Sequence, residues 1–251
     1  MYSVFADESS IGDRYMGFGA ILVPTPVVPI IEAWLEAYCA QAGFQGREMA
    51  WKKCGPGKVP RCTRFMNMFW ELVRAYSPID FRAIVLDRAR YPLRAPQYGA
   101  HTEEEGFYRF YHSFLTRSIA KVASGAAGYQ LHIAMTPDRY PHRSDILRKT
   151  VGGTVGRGAG RPWQIVDVIR GQPKSYRVHQ LADVLLGAVM HRVNARNDAS
   201  PKEMMVQQFE ARLGKRLDED CMPSERPFNV WFFARAGDSR WAPGGSGRVR
   251  R

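Results

Sequence analysis

Two acidic residues lie in surroundings that would normally exclude a charge. Asp7 directly follows the apolar run YSVFA (2–6), and Asp183 is the only ionisable residue in LADVLLGAVM (181–190). An isolated carboxylate within a buried helix destabilises the fold unless it is protonated, paired or bound to a metal. Helical spacing places Asp183 on the same face as Gly187, which we expect to leave open space beside the carboxylate. Asp183 is therefore a candidate metal ligand, and the alternatives are an ion pair with an arginine or a cap for a neighbouring loop.

Two further acids complete a possible carboxylate site. Glu48 lies in the loop segment REMAWKK, and Asp138 follows a predicted strand at MTPD. Taken singly, Asp7 and Asp138 could cap turns, and Glu48 could be a solvated surface residue. Together, acids at strand ends and one acid on a helix can converge at the carboxyl edge of a sheet. Oxygen ligands of this kind suit Mg²⁺ or Mn²⁺, which can activate a water and stabilise the leaving oxygen of a phosphodiester.

Four polar residues near these acids are candidate substrate-binding residues. Lys52 and Lys53 could contact a scissile phosphate, although solvated lysines are common. Ser175 could contact a phosphate or act as the N-cap of the following helix. His179 precedes Asp183 by one helical turn and could act as a general acid or base, as a donor to a metal ligand, or as a core histidine.

The acids must be positioned by strands that alternate with helices along the chain. The first two strands, joined by the short polar turn SSIGDR, predict a hairpin, and the alternation elsewhere predicts an α/β fold. Thr102 and Glu105 have the spacing of a capping box. The predicted strands are 2–8, 15–24, 80–88, 128–138, 163–171 and 227–235, and the predicted helices are 27–42, 61–76, 102–123, 177–194 and 201–213. This order predicts a mixed sheet flanked by helices.

Bulk composition favours a polyanionic partner. Residues 236–251 hold four Arg and one Asp, or +3 of the total charge of +12, which leaves +9 on residues 1–235. Such an excess favours nucleic acid. No apolar run is long enough to span a bilayer, the N-terminus lacks signal-peptide features, and the four cysteines form no C-x-x-C pair. We therefore expect a cytoplasmic protein with reduced thiols, no membrane partner, a single domain over 1–235 and a basic, disordered tail over 236–251.

Four motifs resemble the family called domain of unknown function 3800. These are DES (7–9), E-x-x-W-K (48–52), QLADVLLGAV (180–189) and FNVWFF (228–233), and the resemblance covers residues 2–235. It implies a ribonuclease H-like fold with an acidic metal site, in a family some of whose members occur near mobile elements or defence loci.

The resemblance transfers to this chain residue by residue, with two departures. Asp7, Glu48 and Asp183 match the family's acids, and Asp138 matches the acid after the middle strand. The usual DESG is DESS here, and Ala50 stands where members often have a lysine, so a lysine role at that position does not carry over.

The sequence as a whole predicts a metal-dependent nuclease, that is, a phosphodiester hydrolase acting on DNA or RNA with Mg²⁺ or Mn²⁺, in a mobile-element or defence context. Two alternatives stay open. One is a non-catalytic nucleic-acid-binding or toxin-like interaction protein that retains the fold. The other is an enzyme acting on a small phosphorylated metabolite, which fits the acids equally well but fits the positive charge poorly.

Overall fold

The computed structural model describes residues 1–119, 129–134, 165–171, 175–194, 200–222 and 224–234. Asp138 and the predicted tail at 236–251 lie outside these ranges. The strands are β1 (Tyr2–Ser9), β2 (Tyr15–Pro24), β3 (Asp80–Asp87), β4 (Tyr129–Ala134), β5 (Ile165–Gly171) and β6 (Phe228–Phe232). The helices are α1 (Val28–Gln41), α2 (Val59–Ala75), α3 (Glu103–Ser113), α4 (Arg177–Val193) and α5 (Pro201–Leu213).

The described strands form one sheet in the order β5-β4-β1-β2-β3-β6. Strand β2 runs antiparallel to β1 and β3, as the predicted hairpin requires. The remaining neighbours, β1 with β4, β4 with β5, and β3 with β6, are parallel. The carboxyl ends of β1 and β4 therefore lie at the same edge of the sheet. The predicted α/β class, a mixed sheet flanked by helices, is confirmed.

Helices cover both faces of the sheet because its strands carry apolar side chains on both faces. One face packs against α1, α2, α4 and α5 through residues such as Phe5, Phe69 and Leu185. The other packs against α3 and the π-helical turn that follows it, Phe114–Ile119. The predicted capping box is present at the start of α3, where Thr102 and Glu105 bond to each other's backbone.

Helix α4 lies directly on β1 and β2, and two glycines of β2 make this close approach possible. A Cβ at Gly19 would lie 3.0 Å from Leu186 Cδ1, and one at Gly17 would lie 2.6 Å from Met190 Sδ. Asn194, which follows the helix, accepts a hydrogen bond from the Tyr15 backbone at 3.3 Å. The absence of side chains at these two positions sets the height of α4 above the sheet.

Within the ranges described above, no helix is both long and apolar enough to cross a membrane.

The glycine contact gives a test of how α4 is seated. We expect Gly19→Val to lower the free energy of unfolding by about 1–3 kcal/mol, because the added methyl groups overlap Leu186. Chemical denaturation monitored by circular dichroism measures this change. The control is Gly12→Ala in the β1–β2 turn, where a Cβ meets nothing within 4 Å, and we expect a change within about 0.5 kcal/mol. Equal stability of Gly19→Val and the parent would contradict the packing described.

Candidate functional site

Asp7 lies on the face of the sheet that α4 covers. Side chains alternate along a strand, so Asp7 shares the face of Phe5, which belongs to the core beneath α4. Its antiparallel partner is Gly19, the residue on which Leu186 packs. Asp7 is partly buried, and its Oδ1 accepts a hydrogen bond from the Glu8 backbone N–H at 2.9 Å. The Asp7 side chain is therefore directed towards the α4 side of β1, at the level of Leu186.

Asp183 lies on α4, three residues before Leu186. From 177 to 191 it is the only residue of the helix that is partly and not fully buried. Its Oδ2 accepts a hydrogen bond from the Trp51 backbone N–H at 2.8 Å. The pKa of Asp183 is raised to about 6, chiefly by burial. The nearby Glu48 also raises this pKa, whereas the Trp51 N–H and the charges of Lys52 and Lys202 lower it.

The loop that carries Glu48 is hydrogen-bonded along α4. Alternate loop residues bond to successive turns of the helix: the Arg47 carbonyl to Arg177 Nη1 at 2.7 Å, the Met49 N–H to Gln180 Oε1 at 2.8 Å, and the Trp51 N–H to Asp183. The position of Glu48 is therefore set by α4.

Glu48 and Asp183 are the two predicted ligands that the structure most clearly brings together. The negative charge of Glu48 contributes to the raised pKa of Asp183, so the two carboxylates are electrostatic neighbours. Glu48 also forms an ion pair with Lys53, whose side chain is more exposed than that of Glu48. Lys52 is exposed, and its charge partly offsets the repulsion between the two acids.

Trp51 fills the space that was expected to be open beside Gly187. A Cβ at Gly187 would lie 2.2 Å from Trp51 Cγ, so the glycine accommodates the indole ring, and the prediction of open space there is wrong. The ring also contacts the edge of His191, with centroids 5.7 Å apart, and the Lys202 ammonium lies 5.1 Å from the ring centroid. Trp51 thus joins the loop to α4 and to the start of α5.

His179 lies in the core. Only 2% of it is exposed, and its Nε2 is 3.2 Å from the Ala6 carbonyl and 3.0 Å from the His132 carbonyl. Because both neighbours are acceptors, Nε2 carries a proton and donates to them. Burial lowers the pKa of His179 to about 4, so the ring is neutral at pH 7. Of the roles considered, these contacts favour the core histidine, which ties α4 to β1 and β4, and not substrate binding.

Ser175 is exposed just before α4, but it is not the N-cap. The N-cap is Tyr176, whose side chain makes no capping hydrogen bond. Instead, the Glu32 carboxylate of α1 accepts hydrogen bonds from the backbone N–H groups of Arg177 at 2.7 Å and Val178 at 2.8 Å. The alternative of Ser175 as an N-cap is therefore wrong. Its exposure at the helix N-terminus leaves the phosphate contact as a prediction.

The four candidate carboxylates differ in how far the structure supports them as ligands of a divalent cation. The described ranges contain no group of three or more His, Cys, Asp or Glu side chains close enough to hold a metal ion. The desolvated Asp183 carboxylate and the partly buried Glu48 carboxylate, which repel each other, nevertheless fit a hard cation, which would offset that repulsion. Asp7 lies on the same side of the sheet. Asp138 falls beyond β4, outside the described residues, and the four-carboxylate site stays a prediction.

Several residues that build this site have no obvious functional signal in the sequence. Gln180 and Arg177 hold the loop, and Arg177 also binds Glu36 of α1 with its Nε at 2.5 Å from Oε2. Gln180 is polar within an apolar helix, which could have marked it as a hydrogen-bonding residue. Lys202 lies at the start of α5, where no local pattern indicates that it reaches Trp51.

Comparisons with known proteins yield remote structural similarities. No protein-family model matches the chain. A search of curated proteins found no match. The family resemblance of the four motifs therefore stays a prediction.

Three solved structures illustrate the degree of similarity. RNase HII in its complex with PCNA from Archaeoglobus fulgidus has a TM-score of 0.42 and 13% identity, over 86% of this chain and 91% of that one. A mutant of Bst-RNase HIII has a TM-score of 0.44 and 14% identity, over 86% of this chain and 56% of that one. The ribonuclease H2 from Pyrococcus horikoshii OT3 has a TM-score of 0.37 and 11% identity, over 89% and 91%. Similarity this remote carries no argument about function.

The raised pKa of Asp183 predicts how stability depends on pH in metal-free protein. The folded state keeps the Asp183 proton to about pH 6, whereas the unfolded state loses it near pH 4. This residue's contribution to stability is therefore present below about pH 4 and is lost as the pH rises through 6. Asp183→Asn keeps an acceptor for the Trp51 N–H and removes the charge. Above pH 7 we expect the variant to be more stable than the parent, on the order of 1–3 kcal/mol.

Urea denaturation in EDTA between pH 4 and pH 8 measures this difference. The gap between variant and parent should widen as the pH rises. Parallel stability curves would show that the carboxylate is not destabilised in the folded protein.

Proposed function

We propose that the protein is a metal-dependent nuclease that hydrolyses phosphodiester bonds in DNA or RNA. Asp7, Glu48 and Asp183, together with Asp138, would hold Mg²⁺ or Mn²⁺. The observation that carries the proposal is the electrostatic proximity of Glu48 to the desolvated Asp183, on the helix that packs against β1. Residues 1–235 would form a single domain, in keeping with the sequence-based expectation.

Holding the two acids near each other destabilises the folded protein, and this cost supports a functional site. Placing a carboxylate on a buried helix beside a second carboxylate is unfavourable unless a cation or proton compensates. The loop that carries Glu48 is nevertheless held against α4 by three hydrogen bonds. A structural loop contact alone could be made by neutral side chains such as Gln180. The acid at 183 is thus better explained by a cation that it binds.

The chain's own residues would orient the ligands and bind the substrate. The Trp51 N–H fixes one oxygen of Asp183, and a carboxylate retains further acceptor capacity for a metal ion. A bound divalent ion would supply a Lewis acid and would lower the pKa of a bound water. Lys52 and Lys53, which follow Glu48 in the same loop, would contact a phosphate of the substrate. The neutral, core-bound His179 would hold α4 in place and would not exchange protons with the substrate.

The substrate class follows from charge. Residues 1–235 carry +9, and phosphate contacts made by Lys and Arg give binding that depends strongly on salt and weakly on base sequence. A long polynucleotide fits this surface better than a small phosphorylated metabolite. The origin of the protein in a mobile-element or defence context rests on the motif resemblance alone.

Cleavage of labelled DNA and RNA in Mn²⁺ or Mg²⁺ tests the proposal. We expect Asp7→Asn, Glu48→Gln and Asp183→Asn each to reduce the cleavage rate by about 100-fold or more, because each removes a charge that would hold the cation. The matched control is Glu8→Gln, since Glu8 adjoins Asp7 but lies on the opposite face of β1, and it should cut like the parent. Full activity in both Asp7→Asn and Asp183→Asn would overturn the site assignment.

Metal binding provides a second measurement that does not depend on turnover. An Mn²⁺ concentration of 100 times the Kd should raise the free energy of unfolding of the parent by about 2.7 kcal/mol. Asp183→Asn should lose this increase. If the parent binds nucleic acid but neither binds Mn²⁺ nor cuts, the second candidate, a non-catalytic nucleic-acid-binding protein that keeps the fold, replaces the nuclease.

A further inference from the structure

Five exposed basic residues surround the loop after Glu48 and the start of α2. We call them the basic track: Arg47, Lys52, Lys58, Arg61 and Arg64. Among the residues that the structure describes, none of the five lies within 4 Å of a carboxylate. The only acid between 43 and 70 is Glu48, which is a candidate ligand and pairs with Lys53.

Many basic residues elsewhere in the described structure do have acidic partners. Ion pairs join Arg14 to Asp87, Arg88 to Glu103, Arg177 to Glu36, Arg192 to Glu203 and Glu210, Lys215 to Glu225, Arg216 to Asp218, and Arg226 to Asp80. Arg74 and Arg212 are also exposed without an ion pair among the described residues, so the basic track is distinguished by its density: its five unpaired cations fall within residues 47–64, where Glu48 is the only acid.

The arrangement of the track is unfavourable in the free protein. Lys58, Arg61 and Arg64 follow one another at intervals of three, and side chains at that spacing are neighbours about 5–6 Å apart on a helix. Like charges at this separation repel. The track also lies at the N-terminus of α2, where the helix dipole favours negative charge, and the first turn contains no acid. An anion that binds there would offset both effects.

Part of the track is ordered before any partner binds. The Arg64 guanidinium lies over the Tyr38 ring, 5.4 Å from its centroid, and the Tyr38 hydroxyl donates to the Arg61 carbonyl at 2.8 Å. The other end reaches the candidate site, because Lys52 adjoins Trp51, whose backbone N–H donates to Asp183 at 2.8 Å. From Lys58 to Arg64 the helix advances about 9 Å. The cations thus extend from the carboxylates along α2.

We propose that the basic track binds the phosphate backbone of a nucleic-acid strand and leads it to the carboxylates of the candidate site. Contact through phosphates fixes the position of the strand without reading its bases. Binding by the track stands on the charges described above. Only its connection to cleavage rests on the proposed function.

Charge reversal at matched positions tests the track. Arg61→Glu with Arg64→Glu changes the net charge as much as Arg74→Glu with Arg212→Glu, whose arginines are exposed at the far end of α2 and on α5. Fluorescence anisotropy with labelled single-stranded DNA and RNA in EDTA measures binding without cleavage. We expect the track variant to raise Kd at least about tenfold and to reduce the slope of log K against log salt by about 1.4. The control should change Kd less than about threefold.

The remaining outcomes also decide the question. Equal losses in both double variants would show that net charge alone drives binding and would overturn the track, as would unchanged binding in both. Binding to phosphatidylserine vesicles without binding to nucleic acid would overturn it in favour of a membrane surface. Arg61→Gln with Arg64→Gln keeps helix propensity and repeats the test if the reversal variant loses its circular dichroism signal. A parent protein that binds nucleic acid through the track but cleaves neither DNA nor RNA in Mn²⁺ or Mg²⁺ would count against the proposed function and not against the track.

Discussion

The hydrogen-bonded contact between α4 and the loop 47–51 is the interaction on which the candidate site depends. Backbone N–H groups that leave water must find acceptors, and the loop's Met49 and Trp51 find theirs in Gln180 and Asp183. This bonding orients the Asp183 carboxylate before any cation or substrate is present. It also brings Glu48 to the helix, because Glu48 lies between residues that are bonded to it.

The contact is useful only because α4 itself is held against the sheet. Gly17 and Gly19 let the helix approach β2, and His179 donates to carbonyls of β1 and β4. These contacts hold α4, and with it Asp183, against β1 and β2, the strands that carry Asp7 and its partner Gly19. The basic track begins on the same loop, so the positive surface and the carboxylates share one structural support. A change in the seating of α4 would therefore disturb ligand geometry and substrate access together.

Much of the fold was predictable because it follows from local patterns. Helix α5 was predicted at 201–213 and begins and ends there, after Ser200 and before Gly214. The capping box at Thr102 was predicted from spacing alone. The helix that this box begins was predicted to run to 123, but its α-helical part stops at Ser113 and continues as a π-helical turn to Ile119, and residues 120–123 lie outside the described ranges. For the site, a polar residue within an apolar helix identified Asp183 as a candidate ligand. The same reasoning did not hold for His179 on the same face, which is a core residue.

By itself the sequence determined the type and approximate limits of the elements and the acids most worth testing, because periodicity, capping and solvation are properties of neighbouring residues. Only the tertiary structure decided which segments meet. Trp51 packs on Gly187 and Glu32 caps α4, each across more than a hundred residues, so no local pattern could reveal that the glycine was filled or that Ser175 was not the cap. The proximity of Glu48 to Asp183 has the same origin. It is a product of long-range hydrogen bonds and packing, which depend on strand order and helix placement.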